Sequence, residues 1–350
     1  MARKIDPMRR ALPISEWPTV DCNAWQAALT CGDAFEDGGG AVDWAAKTRL
    51  TNISHYGRWL GYLRWRGLLG DEESLSDRVT RDRVRDYVNH LEMIVAPHTC
   101  VSMLIGLKVM MQVMTPESNW NWLQKVCNRI QRAAKPTSNK LSRMRPTTEI
   151  FKVALRELRR LPSDPLSKKD ALRYRDALML AFLASRPLRR KNFAALELGR
   201  NLVKVDGGWL LTIPAEETKT GQAIAFLLPE ILVPWLERYL VVRKFPVPGE
   251  LSSKLWLSNE GKPLNGNRVW SRITKLTQRL FGKSINPHLL RDCAASTLAN
   301  SSSDLALAAA PLLGHRHFAT TERFYIQANN LEASRRFNSI LSKLRTDETR

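Results

Sequence analysis

Between Pro287 and Ile326 the chain reads PHLLRDCAASTLANSSSDLALAAAPLLGHRHFATTERFYI. This stretch holds three of the six histidines (His288, His315 and His317), Arg291 one helical turn after the first of them, and Tyr325, the only tyrosine beyond Tyr239. Histidine and arginine donate hydrogen bonds to anionic oxygen. A tyrosine hydroxyl is a nucleophile once its charge is managed. Upstream, Pro187 ends a helical pattern and is followed by Arg189, Arg190 and Lys191, so Arg189 falls at the opening of the next helix, beside backbone amides that favour an anion. Glu217 to Gly221, ETKTG, sets Lys219 in a turn between two strand patterns, where a lysine can swing onto a bound phosphate or leaving group. Taken singly, each feature has an ordinary reading: a solvated basic face, a solubilising charge, a capping histidine, a core tyrosine.

Composition narrows the partner. Lysine and arginine number 54 against 34 aspartates and glutamates, a net charge of +20. Such an excess points to a polyanion, and to nucleic acid before membrane, because no lipid-binding stretch accompanies it. No run of eighteen apolar residues is present, and the first residues, MARKIDPMRRALPISEW, lack the apolar core of a signal peptide. The five cysteines (Cys22, Cys31, Cys100, Cys127 and Cys293) are scattered without C-x-x-C spacing, which predicts reduced thiols in a cytoplasmic protein and no structural zinc.

The elements that must position these residues are mainly α with a small antiparallel β-sheet. Residues 1–44 read as an N-terminal arm or extension broken by EDGGG at Glu36 to Gly40. Over residues 45–134 apolar positions recur at threes and fours, as in Leu50, Ile53, Tyr56, Leu60 and Leu63, and predict a four-helix bundle. Met103, Met110, Met111 and Met114 read as core filler. Residues 135–146 form a basic linker, whose Lys135, Lys140, Arg143 and Arg145 are candidates to run along phosphates. From residue 147 to 350 helical patterns resume: Glu149 to Leu161, then Ser167 to Ser185 with Ser167 as cap. Leu202 to Val205, Trp209 to Ile213 and Ile224 to Leu228 then alternate with period two and predict three antiparallel strands. Helices follow at Pro229 to Lys244, Asn267 to Phe281, Pro287 to Ala299, Ser303 to Leu313 and Leu331 to Leu344.

Order and spacing say more than any one feature. Arg189, Lys219, His288 with Arg291, His315 and Tyr325 together resemble the active-site set of the tyrosine recombinase (phage integrase) family. PLRRKNFAAL resembles the box around that family's first arginine, HLLRDCAASTLA its H-x-L-R box, and LLGHRHFATTERFY its L-G-H to tyrosine box. The resemblance runs from Thr147 onward by motif, and the preceding bundle is similar to the family's core-binding domain in position and pattern. Two departures stand out. Asn192 occupies a position where the family often has glutamate, and ten residues rather than nine separate His315 from Tyr325, leaving His317 as the alternative active-site histidine.

The resemblance implies a two-domain clamp on double-stranded DNA, the helical bundle facing a mixed α+β catalytic domain. It implies that Tyr325 attacks phosphorus to give a 3′-phosphotyrosyl link while Arg189 and Arg291 hold the non-bridging oxygens. His315 and His288 would assist, Lys219 would protonate the departing 5′-oxygen, and no metal or other cofactor would take part. Arg190 and Lys191 join the linker cations as DNA-binding candidates. The same resemblance implies a homo-oligomer on DNA, a dimer at each site and a tetramer in the synapse. Accessory proteins, a bacterial or phage-encoded origin, a place at the nucleoid, and a last helix (Leu331, Phe337, Ile340, Leu341, Leu344) that docks on a neighbouring copy complete it. Two other readings use the same residues: type IB topoisomerase-like relaxation of DNA, and a catalytically inactive DNA-binding regulator.

Overall fold

The computed structural model describes residues 6–33, 35, 37–135, 139–162, 167–244 and 251–301. The expected helices at Ser303 to Leu313 and Leu331 to Leu344, with His315, His317 and Tyr325, lie outside the described residues. The chain divides into two units, Met1–Asn139 and Lys140–Arg350.

The first unit is helical: α1 (Thr19–Leu29), α2 (Ala46–Trp65), α3 (Leu75–Arg78), α4 (Arg81–Ile94), α5 (Pro97–Met114) and α6 (Asn121–Ala133). Its core gathers Trp17, Tyr56, Trp59, Tyr62 and Tyr87, with Trp59 and Tyr87 meeting edge to face at 5.1 Å. Met110, Met111 and Met114 are buried here, as core filler should be.

The expectation of an arm over residues 1–44 needs correction. Leu12, Trp17, Trp25, Ala28 and Ala41 are all buried in this same core. The Leu12 amide donates to the Gly57 carbonyl at 2.8 Å, and a Cβ at Gly57 would sit only 2.3 Å from the Leu12 carbonyl oxygen. Gly61, one turn on, meets the Arg10 carbonyl in the same way. Two glycines on α2 thus let the incoming chain lie directly on the helix backbone.

An ion pair fixes α1 as well. Asp21, fully buried, accepts from the Tyr56 hydroxyl at 2.5 Å and from Arg78 Nη1 at 2.5 Å. Arg78 also donates to the Gly70 and Glu73 carbonyls. Burial, with the Asp21 carboxylate beside it, pushes the Tyr56 phenol well above its ordinary value.

The second unit runs α7 (Thr147–Arg159), α8 (Lys168–Ser185), α9 (Arg190–Ala195), β1 (Leu202–Val205), β2 (Gly208–Ile213), β3 (Ile224–Leu227), α10 (Val233–Val242), α11 (Gly266–Phe281) and α12 (Pro287–Ser301). The Ser167 side chain accepts from the Asp170 amide and caps α8. The sheet is antiparallel in the order β1-β2-β3, with Leu202 opposite Leu211 and Leu211 opposite Phe226. Along β2, Trp209, Leu211 and Ile213 are buried while the residues between them are half-exposed, the period-two pattern of a sheet with one covered face. Gly207, at φ 90°, closes the β1–β2 turn in a conformation other residues rarely adopt.

The core of this unit decides where α9 and Arg189 sit. Phe193 on α9 is buried between Phe182 of α8, 5.5 Å away, and Trp256, 4.9 Å away; Tyr239 of α10 packs on the same indole at 5.4 Å. These rings hold a helix of only six residues, too short to be stable alone, in one orientation.

Candidate active site

The chain leaves α8 at Ser185 and, after Pro187, enters α9 with Arg189 as its N-cap residue. The Arg189 guanidinium is half-buried, and its Nη1 donates to Thr220 Oγ1 at 3.4 Å. Thr220 follows Lys219 in the β2–β3 connection, so this contact brings the lysine's loop to the arginine. Lys219 itself is exposed. The loop is braced from within: the Thr218 hydroxyl is bonded to the Ala215 carbonyl and accepts from the Gln222 amide.

Arg291 reaches the same place from another direction. It lies on α12, which starts with Pro287 and is capped by Asn286, whose Oδ1 accepts from the amides of His288 and Leu289. Arg291 is only 7% exposed, and its Nη1 donates to the Pro187 carbonyl, two residues before Arg189. Burial pushes its guanidinium down to about 10, with the nearby Arg189 cation acting in the same direction and Asp292 opposing. Burial also lowers Arg189. Both remain cations at neutral pH. The fold therefore holds two like charges close together in a partly dry place, an arrangement that an anion between them relieves. His288, one turn before Arg291 on α12, is exposed.

The structure brings together Arg189, the Lys219 loop and Arg291, with His288 on the same helix as the last. Arg190 and Lys191 are exposed on α9 and line an open cavity of about 470 Å³ with Leu264, Asn265, Gly266 and Asn267. Lys135 is exposed at the end of the first unit, and Lys140, Arg143 and Arg145 begin the second. The segment from Lys140 is less free than a linker: Lys140 pairs with Asp292 at 3.8 Å, the Ser142 carbonyl accepts from Lys283, and the Thr147 amide donates to Thr297 Oγ1. Among the described residues no group of three metal-ligating side chains is gathered.

In the sequence Asn192 stands out only as a departure. The side chain is 7% exposed and its Nδ2 donates to the Glu217 carbonyl at 3.2 Å, tying α9 to the short turn before Lys219. A carboxylate there would lack the donor. Asn192→Ala should loosen this loop by about 1 kcal/mol, raising amide exchange at Thr218 to Gln222 roughly fivefold. Unchanged exchange would show that Thr218 and Arg189 suffice to hold the loop.

The second unit is mainly helical with a three-stranded sheet, and within it two arginines converge beside a lysine-bearing hairpin. The profile of the Phage integrase family matches residues 156–332. The chain belongs to that family. It is 32% identical over 159 residues to Tyrosine recombinase XerC of Pseudomonas syringae pv. tomato, covering 44% of this chain and 48% of the relative. To Tyrosine recombinase XerD of Pseudomonas aeruginosa it is 32% identical over 160 residues, covering 44% and 50%. The chain thus spans about half the length of these curated relatives. In fold it is similar to XerH site-specific recombinase bound to palindromic difH substrate (TM-score 0.56, 14% identity, covering 82% of this chain and 78% of that one). It is also similar to a lambda integrase(75-356) dimer bound to a COC' core site (TM-score 0.53, 20% identity, covering 82% and 90%).

Proposed function

We propose that this protein is a site-specific DNA recombinase that cuts and rejoins duplex DNA through a 3′-phosphotyrosyl intermediate. The observation that carries the reading is the convergence of Arg189, the Lys219 loop and Arg291. A phosphodiester resists attack because its anionic oxygens repel nucleophiles. Two fixed guanidiniums beside it neutralise those oxygens and stabilise the charge that grows on them in the transition state.

In the step itself the Tyr325 oxygen bonds to phosphorus and the bond from phosphorus to the 5′-oxygen breaks. Lys219 gives its proton to that leaving oxygen, and the tyrosine's proton passes to His288. His315, with His317 as the alternative, donates to the phosphate. The bond energy stays in the phosphotyrosine, so a 5′-hydroxyl from another strand reverses the step, and no metal or nucleotide cofactor enters. Lys135, Lys140, Arg143, Arg145, Arg190 and Lys191 contact duplex phosphates on either side. The protein acts in the cytoplasm, at the nucleoid, as a homo-oligomer on DNA: a dimer at each site and a tetramer in the synapse.

A nicked suicide duplex tests this. Covalent protein–DNA adduct should accumulate, and the tryptic peptide carrying nucleotide should contain Tyr325. An adduct on another residue, or binding without adduct, would overturn the reading. Relaxation of plasmid lacking any specific site would reassign the same chemistry to a topoisomerase.

A further inference from the structure

Away from Arg189 and Arg291, the second unit has a second concentration of positive charge. The first two turns of α8 and the stretch of α11 from Arg272 to Arg279 border an open cleft of about 560 Å³, lined by Lys168, Lys169, Arg173, Asn259, Arg272 and Arg279. Lys275 lines its continuation. The cations fall into two kinds. Arg173 pairs with Asp170, Arg279 with Glu157, and Arg272 with the buried carboxylate of Asp176, which also holds Arg175. These guanidiniums are fixed in place. Lys168, Lys169 and Lys275 are exposed and make no ion pair among the described residues.

That placement costs stability in the free protein. Lys168 and Lys169 occupy the first two positions of α8, where the helix dipole disfavours a cation. Like charges crowd the cleft further. An anion offsets both penalties. The lining offers Leu172 but no aromatic ring on which a base would stack. The cleft is therefore suited to phosphates rather than to nucleobases.

We propose that this cleft binds backbone phosphates of the duplex flanking the cut site; the proposal rests on the DNA-binding reading above. Helix α11 connects the two places. At its start Gly266 packs against the Arg190 side chain, and near its end Arg279 stands at the cleft. At about 1.5 Å per residue the helix covers roughly 20 Å between those two positions, or about six base pairs of additional duplex.

The test compares wild type with a triple variant, Lys168→Ala, Lys169→Ala and Lys275→Ala. None of these lysines is buried or holds a carboxylate among the described residues, so the fold survives their removal. With a duplex of about 40 base pairs, the slope of log affinity against log salt should fall by about 2 to 3, near 0.9 for each phosphate no longer neutralised. With a duplex that ends about three base pairs past the cut site, and so stops well short of the cleft roughly 20 Å away, the slope should not change. Adduct formation on a short suicide duplex should stay at the wild-type rate, which separates this proposal from the recombinase reading: wild type that forms no adduct defeats that reading alone. An unchanged slope on the long duplex overturns the proposal, as does an equal fall on both duplexes. So does loss of binding to poly-glutamate with the DNA slope intact, which would give the cleft to an acidic protein segment.

Discussion

Arg291→Lys is expected to slow adduct formation on a suicide duplex by on the order of 10² to 10³, the usual cost of losing one donor to a developing oxyanion, while duplex affinity changes little. Lysine keeps the charge but not the geometry. The native side chain uses one nitrogen on the Pro187 carbonyl, which fixes the plane of a fork carrying five N–H donors. An ammonium is a point charge on a flexible stem, with no second nitrogen to present to the anion in a plane fixed by the carbonyl. The contrast with Arg291→Ala is informative, since alanine also removes the repulsion that Arg189 feels. Both variants should lose activity alike, while the free Arg291→Ala protein recovers part of the stability that its missing hydrogen bond takes away. A rate within tenfold of wild type for Arg291→Lys would remove Arg291 from the phosphate clamp.

The second large effect is on stability. Asp21→Ala should cost the first unit about 3 to 5 kcal/mol, because it leaves the Arg78 cation buried without its carboxylate. Arg78 is fully enclosed, and its other ion pair, from Nε to the partly exposed Glu73 carboxylate at 3.8 Å, is long. The Tyr56 hydroxyl is deprived of its acceptor as well. Replacing both charges with apolar residues of similar size, Asp21→Leu with Arg78→Met, should cost less than Asp21→Ala alone, since a buried pair gains little over well-packed hydrocarbon. Urea unfolding monitored by tryptophan fluorescence measures both, Trp17 and Trp59 lying in the affected core. A loss below about 1 kcal/mol for Asp21→Ala would mean that α1 is not integral to the unit.

These two sites differ in how far the amino-acid order discloses them. The strands were legible because Trp209, Leu211 and Ile213 alternate with less buried neighbours, and the Ser167 cap because capping is local chemistry. Arg189 and Arg291 were legible as members of spaced motifs, although what joins them, the Pro187 carbonyl, is a backbone atom that carries no residue signature. The role of Asn192 was hidden for the same reason, its acceptor being the Glu217 carbonyl. Helix α1 escaped notice because its buried face is Asp21, Trp25 and Ala28. The spacing of four and three is helical, but a hydrophobic scan discards a face led by aspartate, and the partner that justifies it lies 57 residues away.

The glycine pair on α2 has a practical corollary for anyone dissecting the polypeptide. Because Arg10 and Leu12 rest against Gly57 and Gly61 with no room for a methyl group, the leading strand of residues is a lid seated in a fitted slot. A fragment trimmed to begin at Ala46 would uncover bare helix backbone together with the face of Tyr56 that Trp17 and Asp21 cover, and would clump rather than yield a miniature of the first unit. The smallest piece worth expressing begins ahead of Arg10.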